Sequence, residues 1–155
     1  MSDTKIPLTP ELHRQLAVDL FNHVWTLMKM DIRTRAQDDE MLHAAHASRH
    51  HWGQIGEPVN FARGEWQCAR VYAVLKRAEP AHYHAQRSLA ICVEHNIGDF
   101  DLAFAYEALA RAAMVADDEE EMRRYLELAR EAGKKIAEED DKQIFDADLA
   151  TIQVG

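Results

Sequence analysis

The chain predicts an all-α fold, and three observations carry that expectation. Apolar residues recur at helical spacing along the whole length, and no segment alternates with a period of two and β-branched enrichment. Paired helical segments recur at a spacing of about 39 residues. With 155 residues and 47% hydrophobic content, the chain supplies one sizeable core and no second folded unit. The expected layout is a flexible N-terminal tail over 1–8, a single helical-repeat domain over 9–152 and a C-terminal tail over 153–155.

The first helix opens at Thr9-Pro10-Glu11, with Thr9 as N-cap and Pro10 at the first helical position, and runs to about Met30. Its apolar positions cover more than half the circumference, so it is expected to pack on two sides. A second helix, about Gln37 to Ile55, ends in the breaker stretch Gly53 to Pro58. The third spans roughly Asn60 to Arg77, and Glu79-Pro80 starts a fourth that stops near Gly98. Asp99 is read as the cap of helix five, which is apolar or small almost all round and therefore central. The acidic run Asp117 to Glu121 opens helix six, where carboxylates complement the helix dipole. A short final helix, about Lys142 to Ile152, offers Ile144, Phe145, Leu149 and Ile152 to cap the last hairpin.

Helices three and four recur as five and six: Leu89-Ala90 returns as Leu128-Ala129, and Phe61 as Phe100. Tyr106, Leu109-Ala110, Ala113, Met122, Leu126 and Ala129 stand where tetratricopeptide repeats place their large and small residues. The last hairpin, about residues 99–137, resembles a tetratricopeptide unit, and helices three and four resemble one more weakly. That resemblance implies antiparallel helical hairpins stacked as a short right-handed array of about six helices, plus the C-terminal capping helix. It also implies a concave groove of the kind that takes peptides or partner proteins.

With 27 acidic against 18 basic residues and a formal charge of -9, the overall field repels polyanions, so neither nucleic acid nor an anionic membrane is an expected partner. Cys68 and Cys92 occupy apolar helix positions without CxxC spacing, which reads as free thiols in a reducing cytoplasm. There is no apolar leader at the N-terminus and no run long enough to span a bilayer. A Gly-rich phosphate loop, GxSxG, HExxH and an EF-hand loop are all missing from the sequence.

Chemistry-bearing residues concentrate in DDEMLHAAHASRHHW. Asp39, His43, His46 and His50 fall within roughly 60° of one another on a helix. They form either the solvated face of an amphipathic helix or the ligands of a divalent transition metal. On helix three, Arg63, Arg70 and Arg77 repeat every seven residues beside Trp66, opposite Cys68, Val71, Tyr72 and Leu75. If both faces turn inward, His43, His46, His50, Arg63, Trp66 and Arg70 line one groove able to hold an anion beside an aromatic wall. His46, His50 and Glu107 are then the acid/base candidates. Glu107, on the central helix, needs a partner, and Arg111 at i+4 is the obvious one.

The leading expectation is a small cytoplasmic binding module whose His/Arg groove takes a peptide or small anionic ligand. The alternative is a metal-binding protein or enzyme built on His43, His46 and His50. His23 and Trp25 in FNHVW, ahead of the histidine-rich helix, also resemble the metal-dependent DinB-like bundles, which implies His23 near His46 and His50. The breadth of the first helix's apolar surface leaves room for a homodimer.

Overall fold

The computed structural model describes residues 5–153. These form seven helices and no strand: α1 (Pro10–Met28), α2 (Arg35–Ile55), α3 (Pro58–Val74), α4 (Ala78–Glu94), α5 (Asp99–Val115), α6 (Glu119–Gly133) and α7 (Glu139–Leu149). Residues 5–8 of the expected N-terminal tail precede α1 and are exposed. Residues 1–4, and 154–155 of the expected C-terminal tail, lie outside the described residues. None of the described helices is long and apolar enough to cross a membrane.

Local chemistry sets the boundaries. The Thr9 hydroxyl accepts from the Leu12 N–H at 3.1 Å and opens α1. Thr34 and Gln37 form a reciprocal capping box that starts α2 two residues earlier than its apolar pattern suggests. Glu57 and Asn60 do the same for α3. Helix α5 departs from expectation: Gly98 is its N-cap, and Asp99 is its first residue, at a left-handed φ of 51°. The Asp99 carboxylate accepts from the Phe100 N–H at 2.6 Å and from the Ala137 N–H at 3.1 Å, joining the start of α5 to the segment after α6. Helix α7 begins at Glu139 and ends at Leu149, three residues earlier at each end than the sequence pattern suggests.

Short connections make successive helices antiparallel neighbours, giving the pairs α1–α2, α3–α4 and α5–α6. The odd helices also pack backbone to backbone in sequence, α1 to α3 to α5 to α7, whereas α2 and α4 meet through the side chains of His46 and His84, whose ring centroids are 5.2 Å apart. The odd helices thus form one connected layer across the molecule.

Small residues at recurrent places allow the close approaches. The buried Ser48 hydroxyl of α2 donates to the Ala17 carbonyl of α1 at 2.7 Å, and Ser88 of α4 donates to Ala62 of α3 at 2.9 Å. The third pair places Ala129 in one cluster with Ala103. A Cβ at Gly64 would sit 2.7 Å from Cδ of Arg49, so the glycine lets the Arg49 stem lie across α3. One at Gly133 would collide with the Phe145 ring, which is how α7 seats on α6.

Candidate functional site: an aromatic, acidic groove

Helix α3 is buried on two sides, and its faces carry different chemistry. Glu65, Cys68 and Tyr72 look toward α2 and α4. His46 Nε2 and the Tyr72 hydroxyl are hydrogen-bonded at 2.9 Å, and His46 Nδ1 lies 3.8 Å from Cys68 Sγ. The His84 ring stacks on Tyr72 with an interplanar angle of 6° and bonds Glu65 through Nδ1 at 2.7 Å. Burial, reinforced by the charge of His84, lowers the His46 pKa, so its imidazole is held neutral. Neutral His46 with Nδ1–H toward sulfur leaves Nε2 to accept from Tyr72, which satisfies every polar atom of the contact. Burial pushes the Glu65 carboxyl up, but the His84 hydrogen bond and the charges of His84, Arg49 and Arg87 outweigh it, and the net shift is downward. Burial drives the Cys68 thiol up to about 12, so it is no nucleophile at neutral pH.

The opposite face of α3, with Arg63 and Trp66, opens on a cavity. This cavity, of about 720 Å³, takes its lining from all four odd helices. Phe21 and Trp25 come from α1, Trp66 from α3, and Phe100 and Phe104 from α5. Their rings form a continuous run. Phe21 meets Trp25 edge-on, Trp25 lies 5.6 Å from Trp66, Trp66 meets Phe104 edge-on at 5.4 Å, and Phe104 lies 4.6 Å from Phe100. Helix α7 adds Ile144, a large apolar side chain that is 55% exposed.

The cavity wall is acidic. Asp99, Asp101, Asp141 and Asp148 line it against one guanidinium, Arg63. Arg63 is held by Asp101 through two bonds of 2.8 and 3.1 Å, and that bond raises its pKa. Arg70 lies two helical turns beyond, between Glu107 at 3.5 Å and Asp148 at 3.4 Å. With Asp101 and Asp148 compensated in this way, Asp99 and Asp141 leave the wall with surplus negative charge.

Beside the groove, fully buried Glu107 holds the array's end together. Its Oε1 accepts from Arg111, whose Nη2 also donates to the Asp148 carbonyl at 3.0 Å and to Thr151 at 2.7 Å. Burial pushes the Glu107 carboxyl up, and although Arg111 and Arg70 oppose it, the net shift is upward. The carboxylate faces two cations inside the protein and is linked to helix α7 through them, as the centre of a buried ion-pair network.

The six residues expected to share one groove are therefore divided. Arg63 and Trp66 line the cavity, with Arg70 beside it, and His46 sits behind α3 on Tyr72. His43, His50 and Asp39 lie elsewhere on α2 and line no part of the cavity. The groove lies between the odd helices, not between α2 and α3, and its arginines are already engaged by carboxylates. Among the described residues no three His, Cys, Asp or Glu side chains stand where they could hold a metal ion, so the stripe Asp39, His43, His46, His50 is not assembled as a ligand set. His23 pairs with Glu40 at 3.5 Å and is not brought to His46, which removes the DinB-like arrangement. The expectation missed Phe21, Trp25, Phe100, Phe104 and the four aspartates. The sequence signal for two of them is the apolar breadth of α1, whose apolar set includes Phe21 and Trp25.

Compared with family models, with curated proteins and with solved structures, the chain gives no significant match to any of them.

Proposed function

We propose that this protein is a tetratricopeptide-like right-handed helical array whose concave groove binds a peptide segment of a partner protein. The observation that carries the reading is the cavity of about 720 Å³ lined by four successive odd helices and floored by five aromatic rings. Phe21, Trp25, Trp66 and Phe100 are each half-buried over a buried Phe104, and monomeric proteins rarely leave such a run of aromatics partly uncovered unless something binds there. Aromatic side chains also supply large contact area at low entropic cost, which suits recognition of short segments. The path along α1, α3, α5 and α7 is elongated, as an extended or helical peptide requires. The polar lining of the groove is four aspartates, Arg63 and Ser88, and the Ser88 hydroxyl is spent on the Ala62 carbonyl at 2.9 Å.

The test is to pan a random peptide library against the purified protein and titrate the recovered, synthesised peptides into 15N-labelled protein. Chemical-shift changes are expected on α1, α3, α5 and α7, centred on Trp25, Trp66 and Phe104. Peptides that move only α2, α4 or α6, or a library that yields no binder, would overturn the reading.

A further inference from the structure

Charge complementarity decides which peptides the groove admits. Three of the wall's carboxylates, Asp99, Asp101 and Asp141, belong to the first turns of α5 and α7. The positive ends of those helices offset part of their charge, and Arg63 offsets that of Asp101. Asp99 uses both oxygens on backbone N–H groups, those of Phe100 and Ala137. These bonds fix the carboxylate in place while leaving its charge unneutralised. Asp141 makes no ion pair among the described residues, and the cation it acts on is the Arg63 already bound to Asp101. An anionic ligand would meet this surplus directly. A cation entering the same end would meet two carboxylates, with the aromatic run immediately beside them.

Resting on the groove reading above, we infer that the groove selects a basic segment, one in which a lysine or arginine sits next to large apolar residues. The cation lies at the α5/α7 end between Asp99 and Asp141, and the apolar neighbours lie on Phe100, Phe104 and Trp66. The aromatic faces add to the attraction, because their quadrupoles favour a cation as the carboxylates do. The protein's net charge of -9 works in the same direction and speeds the encounter with a basic partner.

The test uses the peptides recovered by panning. Each binder is resynthesised with lysine replaced by norleucine, or arginine by citrulline, and both forms are titrated into the wild-type protein and into Asp99→Asn/Asp141→Asn. The expected result is that loss of the cation weakens binding to the wild type about tenfold at low ionic strength. That preference should shrink with added salt and collapse in the double variant. Binders that shift groove resonances yet are neutral or acidic, or that bind equally well as norleucine or citrulline forms, overturn the charge selection and leave the groove standing. A library without groove binders removes both. The peptide-side substitution reads the wild-type protein, so the charge selection is decided even if the double variant folds poorly.

Discussion

Glu107 is the residue on which the C-terminal half turns. A carboxylate with no exposure, held between Arg111 and Arg70, is costly to desolvate, and that cost is met only while both cations remain. Glu107→Ala strips the buried guanidinium of Arg111 of its charge partner and is expected to destabilise the protein by about 3–5 kcal/mol. A Glu107→Leu/Arg111→Met double variant removes both charges and should cost clearly less than the sum of its single changes. Urea unfolding of the wild type, the double variant and its two single variants gives the coupling directly. Additive losses would mean that the pair contributes nothing specific. The pairing is legible in the sequence, since i, i+4 spacing on an apolar helix leaves few alternatives. The reach of Arg111 to Asp148 and Thr151 is not, because those contacts join residues 37 and 40 positions apart.

The helical elements are legible because capping and periodicity are local, and their ends shift where a cap is overlooked, as at Thr34 and Gln37. One device repeats between elements. After α3, α4 and α5 the chain places Lys76, Asn96 and Asp117 in the left-handed region, and each following N–H donates five residues back, as in Arg77 to Tyr72 at 2.9 Å. Asn and Asp tolerate that conformation, whereas a lysine gains nothing there to offset a strain of roughly 1–2 kcal/mol. Lys76→Gly relieves it at some cost in unfolded-state entropy, for an expected net gain of about 0.5–1 kcal/mol. Asn96→Gly should gain less. The midpoints of urea denaturation measure both, and a destabilised Lys76→Gly would show that the side chain contributes more than its backbone costs.

At the scale of the whole molecule, the two faces of α3 explain what the sequence could and could not reveal. Periodicity correctly separates Arg63, Trp66 and Arg70 from Cys68 and Tyr72, since residues sharing a helix face are fixed by spacing alone. Which neighbour each face meets depends on the order in which hairpins stack, and the histidine stripe of α2 drew the arginines toward the wrong one. The stacking order has a measurable consequence. Helix α3 packs its backbone against α1, α2, α4 and α5, and α5 against α3, α4, α6 and α7, whereas α1 packs against α2 and α3, and α7 against α5 and α6 with a single side-chain link to α3, Arg70 to Asp148. In a near-linear array stability is a sum of unit and interface terms, so elements with neighbours on both sides open last. Amide hydrogen exchange should therefore be slowest in α3 and α5 and faster in α1 and α7, with opening free energies differing by at least about 1 kcal/mol. The alanine-rich α5 is the sharper case, because it is buried almost all round and most of its residues are covered by neighbouring helices. Uniform protection across all seven helices would mean that the molecule opens as one globular unit, and that the odd layer is not the spine on which the groove is built.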